Sequence, residues 1–198
     1  ARRMTRRLRV AVVGYGSGGQ ATALALARDG HEIEIFERVP KPGPVGAGFL
    51  LQPTGLQALW RLGLLGDVCA LGAPVSRLYG ETPQGRAVMD MRYAALDTRL
   101  CGIGMQRGAL FALLHAAIAR ETGIQLHAGC AIVESDCDGG RLRDDQGGWH
   151  GPFDVVAVAD GSASTLRGAI TEMRIDKPYP WGALWCLLPE GEWPWRDE

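Results

Sequence analysis

The first forty residues alternate between apolar runs and a polar, glycine-rich turn in a strand–helix–strand order. An apolar run at residues 10–13 is followed by the glycine-rich segment 14–19 and then by an Ala/Leu-rich stretch with a helical pattern. A second apolar run, at residues 33–36, ends at the acidic Glu37. Because short continuous apolar runs are typical of strands buried on both faces, this order predicts a βαβ unit.

The glycine spacing in this unit matches the dinucleotide-binding fingerprint. Gly14 permits the tight turn, Gly16 lets the backbone approach a pyrophosphate, and Gly19 allows close packing of helix on sheet. The helix N-terminus offers unpaired N–H groups and a positive dipole end to phosphates. Glu37, roughly 20 residues further on, can accept hydrogen bonds from ribose hydroxyls. The pattern therefore predicts a dinucleotide site.

The basic residues at the start allow a second interpretation, a secretory signal. Four arginines within residues 1–7 would form its basic region, and the small residues 23–27 its cleavage site. The glycines interrupt the apolar core that such a signal requires, and the signal leaves Glu37 unexplained. We therefore interpret residues 1–7 as a basic leader and not as part of a secretory signal.

The pattern beyond Glu37 predicts further mixed α/β structure. The Gly/Pro-rich residues 41–55 are expected to form a long loop with little structure of its own. Short helices are predicted over residues 55–62 and 64–72, and a hairpin over residues 75–91. Residues 92–105 are ambiguous.

The following segment predicts a helix and several strands. An amphipathic helix follows Gln106-Arg107, with Gly123 as its expected end. A strand is predicted at residues 124–126, a β-meander at 130–152 and a buried strand at 155–159. The Trp-rich segment from Pro178 is expected either to await a partner surface or to pack on its own domain.

Composition excludes several classes of protein. The chain has 198 residues, a net charge of −1 and 46% hydrophobic residues, which is ordinary for a globular protein and gives no case for nucleic acid. No apolar run approaches the roughly 20 residues that span a bilayer. The five cysteines and four histidines are scattered without metal-ligand spacing, so we predict no metal site and a cytoplasmic location. No hydrolase-type triad is evident, and the catalytic residues stay unassigned.

Three separated motifs make the chain resemble the FAD-dependent aromatic hydroxylases, the flavoprotein monooxygenases of the p-hydroxybenzoate hydroxylase type. The motifs are the glycine fingerprint with Glu37-Arg38, Gln106-Arg107 at the head of a helix, and Asp160-Gly161 continuing to Arg167. They occur in the family's order, and their combination is more specific than any one of them. The family's later Gly-Asp motif is absent, so the resemblance covers the N-terminal half only.

The resemblance implies where FAD would be held. The glycine turn would face the pyrophosphate, Glu37 the adenosine ribose, and Arg38 would lie near the adenine. Arg107 would face the cofactor, Gln106 is a weaker candidate, and Asp160 would touch FAD. The implied cofactor-binding residues are Gly14, Gly16, Ser17, Gly18, Gly19, Glu37, Arg38, Gln106, Arg107, Asp160 and Gly161.

Structural alternatives remain for two of these residues. Arg107 also fits an ordinary solvated arginine at a helix start, although its cation would oppose the helix dipole there. Asp160 also fits an N-cap for the turn at residues 162–168. Arg167 is expected to support this segment rather than to do chemistry.

The resemblance implies an α/β fold with a Rossmann-like FAD-binding domain, a β-meander and the start of a substrate-domain sheet, incomplete relative to the family. The expected division is a leader (1–7), the FAD-binding βαβ part (8–74), a substrate-domain hairpin (75–105), a return to the FAD-binding domain (106–176) and a truncated substrate-domain segment (177–198).

The implied function is NAD(P)H-driven hydroxylation of an aromatic or related organic substrate, with FAD as cofactor and NADPH or NADH as reductant. The expected partner is a small-molecule substrate, and a homo-oligomer or a missing C-terminal half stays open. One alternative is an NAD(P)-binding dehydrogenase, in which Glu37 would favour NAD because a carboxylate repels a 2′-phosphate. The other is a truncated non-catalytic remnant.

Overall fold

A computed structural model describes residues 6–170, 172, 175, 177 and 179–182. The strands in chain order are β1 (Arg9–Val13), β2 (Glu32–Glu37), β3 (Gly48–Leu51), β4 (Ala73–Val75), β5 (Arg77–Glu81), β6 (Ala87–Arg92), β7 (Gly102–Gln106), β8 (Ile124–Ala128), β9 (Ile132–Asp136), β10 (Arg141–Asp144), β11 (Trp149–His150) and β12 (Val155–Val158). The helices are α1 (Ser17–Arg28), α2 (Pro53–Arg61), α3 (Leu65–Leu71), α4 (Arg107–Ile118) and α5 (Arg167–Ile170).

The described residues form two compact units. The first contains residues 6–44 and the described residues of 114–182, and the second contains residues 45–113. The division into functional domains that the sequence suggests stays a prediction.

A parallel sheet organises the first unit. Its strands lie in the order β12-β1-β2-β8, and α1 connects β1 to β2. The register places Val12 beside Ile35 on one side and Ala157 on the other. In β1 the four residues after Arg9 are apolar and buried, as in a strand covered on both faces, whereas β2 alternates glutamates with buried Ile33 and Ile35. The predicted βαβ unit and Rossmann-like fold are confirmed, and the strand order matches part of the Rossmann order.

An antiparallel meander of β9, β10 and β11 completes the first unit and confirms the sequence prediction. Its apolar side chains join those of the parallel sheet in one core. The buried members of this core are Ala11, Val13, Phe36, Ile132, Leu142, Phe153 and Leu166. The core therefore fixes the meander against the strands that carry the glycine turn.

The second unit contains an antiparallel sheet in the order β3-β7-β4 and the hairpin β5-β6. The hairpin and the helices α2 and α3 agree with the sequence prediction. The expected unstructured loop at residues 41–55 is wrong in part, because it contains β3. The ambiguous residues 92–105 include a short 3₁₀ helix, Tyr93–Ala95, and most of β7, the central strand. The strands β3 and β7 pair with each other although they are far apart in the sequence, and a local sequence pattern does not reveal such a pairing.

The helix α4 begins at Arg107 as predicted but ends at Ile118, before Gly123. The Gly123 carbonyl instead accepts a hydrogen bond from the Ile33 amide over 2.9 Å, so this glycine leads into β8 beside β2. The prediction for the Trp-rich segment from Pro178 falls mainly outside the described residues. Among the helices that the structure describes, none has the length and apolar character needed to cross a membrane.

Candidate cofactor site

The turn after β1 requires glycine at its first position. Gly14 has a φ of 105°, in the left-handed region that favours glycine. A Cβ at this position would clash with the Ala159 carbonyl and would lie 2.9 Å from the Asp160 Cα. The Gly14 amide also donates to the Phe36 carbonyl over 2.8 Å. The fingerprint turn is therefore packed against the ends of β2 and β12.

Gly19 is required for a different reason. It is buried in the first turn of α1, and a Cβ there would clash with the Gly14 carbonyl oxygen. The helix thus approaches the strand closely, which is the role the fingerprint assigns to its third glycine.

The start of α1 faces open space. Gly16 is the N-cap residue, no side chain caps the helix, and its first turn has no acidic residue. A Cβ built on Gly16 or Gly18 would meet nothing within 4 Å, and residues 16–18 are exposed. The backbone N–H groups of the first turn have no intrahelical acceptor. This arrangement fits the pyrophosphate of a dinucleotide.

Glu37 stands at the end of β2 with its carboxylate beside the glycine turn. Its Oε2 accepts a hydrogen bond from the Tyr15 amide over 2.8 Å, and its Oε1 accepts one from the Val39 amide over 2.8 Å. A carboxylate has about four lone-pair positions, so acceptor capacity remains for ribose hydroxyls. Glu37 is half-buried rather than enclosed in the core, and Arg38 beside it is exposed. Both residues are therefore accessible to a ligand.

The Asp160-Gly161 segment lies next to the fingerprint turn because β1 and β12 are parallel neighbours. Ser164 Oγ accepts a hydrogen bond from the Arg167 amide over 3.1 Å, so Ser164 rather than Asp160 takes the capping role there. Arg167 Nη2 donates to the Ser162 carbonyl over 2.7 Å, which agrees with its expected supporting role. Within the described part of the chain, the Asp160 side chain has no hydrogen-bond or ion-pair partner.

Gln106 and Arg107 belong to the second unit, where β7 passes directly into α4. Both are exposed. The Arg107 amide donates to the Ala47 carbonyl over 3.1 Å, and its guanidinium carbon lies 5.7 Å from the centre of the Phe49 ring. Among the described residues its guanidinium has no carboxylate partner. The other nine predicted residues thus lie in the first unit, whereas Gln106 and Arg107 lie in the second.

Two features of the first unit have no clear signal in the sequence. The Tyr15 side chain is buried, and its hydroxyl lies 2.8 Å from Nδ1 of His115, which anchors the glycine turn. Burial raises the pKa of this hydroxyl.

The second feature is a cluster of Cys130, Asp144 and His150 on the meander. A hydrogen bond from His150 is the main reason that the pKa of Asp144 lies below its ordinary value. Burial, followed by the negative charges of Asp144 and Asp145, raises the pKa of the Cys130 thiol. Cys130, Asp144 and His150 are separated by 14 and six residues, which is not a metal-ligand spacing of the usual motifs, so the sequence alone predicts no cluster.

A parallel sheet, a glycine turn opening onto free helix amides and a carboxylate at the end of the second strand define a Rossmann-like dinucleotide-binding fold. No family model matches the sequence. The chain is 33% identical to a kynurenine 3-monooxygenase from Salinispora arenicola over 201 residues, which cover 94% of this chain and 44% of that protein.

Solved structures agree with this relationship. A 2-methyl-3-hydroxypyridine-5-carboxylic acid oxygenase superposes with a TM-score of 0.72 at 26% identity, covering 84% of this chain and 43% of the other. A probable FAD-dependent monooxygenase from Pseudomonas aeruginosa has a TM-score of 0.66 at 25% identity, with 88% and 48% covered. The chain is therefore related to the FAD-dependent monooxygenases of the p-hydroxybenzoate hydroxylase type, and it spans less than half the length of these relatives.

Proposed function

We propose that this chain supplies the FAD-binding part of a monooxygenase that hydroxylates an aromatic substrate, with NADH or NADPH as reductant. The observation that carries the proposal is the pairing of the open amides at the start of α1 with the Glu37 carboxylate at the end of β2. The relationship to flavin-dependent monooxygenases supports FAD rather than NAD as the resident dinucleotide.

The chain's own residues would bind and orient the cofactor. The amides of residues 17–19 would hold the pyrophosphate, and Glu37 would accept the ribose hydroxyls while keeping its bonds to Tyr15 and Val39. Arg38 would lie near the adenine, and Asp160-Gly161 would line the same edge of the sheet. When bound, FAD supplies the redox and oxygen chemistry of the reaction.

Gln106 and Arg107, which belong to the second unit, are also proposed as cofactor-binding residues. The resemblance supports their assignment, and the Arg107 guanidinium offers a permanent positive charge suited to a phosphate. An aromatic substrate is supported by the names of two relatives, which act on kynurenine and on a hydroxypyridine carboxylic acid.

Titration with FAD tests the proposal. Gly16 has a φ of −68° and open space around a built Cβ, so Gly16→Ala should fold normally while its methyl group obstructs the pyrophosphate. We expect its affinity for FAD to fall at least about tenfold, which corresponds to roughly 1.4 kcal/mol. Gly66→Ala is the matched control, because Gly66 also faces open space but lies in α3.

Equal FAD affinity in the two variants would contradict the proposed pyrophosphate site. A preference for NAD over FAD in the unmodified chain would favour a dehydrogenase instead. For the reductant, the natural full-length protein should oxidise NADH or NADPH faster when an aromatic substrate is present. Unchanged oxidation across a panel of aromatic acids would contradict that part of the proposal.

A further inference from the structure

We propose that Cys130, Asp144 and His150 form a binding site for a divalent metal ion of the zinc class on the meander of the first unit. Cys130 Sγ lies 3.8 Å from His150 Nε2 and 4.0 Å from Asp144 Oδ2, and the last two atoms are 2.8 Å apart. The side chains of His150 and Asp144 are 27% and 13% exposed, so the cluster is shielded but reachable.

The direction of the three side chains distinguishes a metal site from a nucleophilic triad. In a Cys-His-Asp triad the imidazole uses one nitrogen for the thiol and the other for the carboxylate. Here a single nitrogen, His150 Nε2, faces both the thiol and the carboxylate. The imidazole therefore cannot relay a proton between them, and three potential ligand atoms converge on one point instead.

The separations are close to those of a tetrahedral site. Zinc bonds of about 2.0–2.3 Å at tetrahedral angles place neighbouring ligand atoms roughly 3.4–3.6 Å apart. The two distances from Cys130 Sγ are slightly longer than this, and the distance between His150 Nε2 and Asp144 Oδ2 is shorter. All three ligand atoms already lie within 4.8 Å of one another.

The backbone orients the Asp144 carboxylate for this role. Its Oδ1 accepts hydrogen bonds from the amides of Gly148 over 2.8 Å and Gln146 over 3.0 Å. These bonds turn Oδ2 toward His150 and Cys130. Carboxylates that bind metals are commonly held in place by such hydrogen bonds.

The chemistry of the ligand atoms selects the metal. Thiolate and imidazole favour zinc and its neighbours over magnesium or calcium, which prefer oxygen ligands. A thiolate and a carboxylate together balance the charge of a divalent ion. On binding, the Cys130 thiol would lose its proton to solvent, and the metal would replace the Nε2 proton that His150 shares with Asp144 Oδ2, leaving a neutral imidazole whose single proton is on Nδ1. A water molecule would take the fourth position.

The site would link three strands. Cys130 precedes β9, Asp144 ends β10 and His150 belongs to β11. A metal that binds only the folded meander would raise its stability. This proposal departs from the sequence-based prediction that the chain has no metal site, and it is independent of FAD binding.

Cobalt titration of the metal-free 198-residue chain tests the site, because Co²⁺ bound to thiolate has a charge-transfer absorption band. We expect one equivalent to produce this band and Zn²⁺ to remove it by competition. Cys137→Ser, which changes an exposed cysteine just after β9, should keep the band. Cys130→Ser should abolish it. His150→Gln should weaken affinity by more than the roughly 10- to 100-fold loss expected when a residue that only supports a ligand is changed.

Absence of the band in the unmodified chain would overturn the proposal, and so would its persistence in Cys130→Ser. If these variants fail to fold, X-ray absorption spectroscopy of the zinc-loaded unmodified chain still tests the site, because it identifies the atoms bound to zinc. One sulfur ligand with nitrogen and oxygen neighbours would support the site. A coordination shell without sulfur, or with several sulfurs, would overturn it.

Discussion

The Glu37 carboxylate accepts a hydrogen bond from the backbone amide of Tyr15 over 2.8 Å, which ties the end of β2 to the turn that follows β1. Its other oxygen holds the Val39 amide at the start of the next loop. The same side chain that we propose as the ribose acceptor is therefore also part of the local framework of the glycine turn.

Glu37→Gln should destabilise the first unit. Glutamine keeps one acceptor oxygen but turns an NH₂ group toward the other amide, so one hydrogen bond is lost and the other is no longer charge-assisted. We expect the free energy of unfolding to fall by about 1–3 kcal/mol, measured by urea denaturation. Glu32→Gln, at the exposed start of the same strand, should cost no more than about 1 kcal/mol. Equal losses in the two variants would contradict this role of Glu37.

Two neighbouring glycines should respond differently to alanine. Gly19→Ala introduces a methyl group against the Gly14 carbonyl and should cost about 1–3 kcal/mol of stability. Gly18→Ala meets nothing within 4 Å and should be neutral or stabilising by up to about 1 kcal/mol, because alanine favours helix. Urea unfolding of the pair measures the difference. If Gly18→Ala proved the more damaging, the described packing of α1 on β1 would be incorrect.

Phe36 should be a major contributor to the core of the first unit. It is 1% exposed, and its ring stacks on His127 with 4.7 Å between ring centres. Phe36→Ala should lower the free energy of unfolding by about 3–5 kcal/mol. The nearby Val39, which is 44% exposed, supplies the control, and Val39→Ala should have a much smaller effect in the same denaturation experiment. A small loss for Phe36→Ala would place this ring outside the core.

The hairpin of the second unit should be sensitive to acid through Asp90. Arg77 binds both oxygens of Asp90, at 2.6 Å and 3.0 Å, and this interaction lowers the pKa of Asp90 below its ordinary value of 3.8. A lowered pKa means that the contribution to stability is present above pH 3.8 and is lost as the pH falls below it.

Thermal unfolding of Asp90→Asn across pH measures this contribution. The unmodified protein should have the higher Tm at pH 7, and the difference should shrink as the pH falls below 3.8. Asp138→Asn, at an exposed turn, should leave the Tm unchanged throughout. A difference for Asp90→Asn that grows in acid would reverse the assigned sign.

The βαβ unit was predictable because its signals are local. The apolar runs, the glycines and Glu37 follow one another within forty residues, and each has its own physical requirement. The pairing of β3 with β7 was not predictable in this way, since Leu51 meets Ile103 only through tertiary structure.

The same distinction applies to the sites. The glycine turn and the Asp160 segment were each visible as motifs, but their contact arises from the pairing of Val13 with Val158 in neighbouring strands. The cluster on the meander depends on strand register, which places Leu142 opposite His150 and so brings Asp144 near that ring. The spacing of these residues in the sequence does not predict the register of the two strands.

We propose above all that the amides at the start of α1 bind the diphosphate of an adenine nucleotide. Titration of the ¹⁵N-labelled chain with ADP tests it directly, because two-dimensional NMR reports each backbone amide separately. We expect the largest shifts at Ser17, Gly18 and Gly19. Binding without shifts at these residues, or no binding at millimolar ADP, would contradict it.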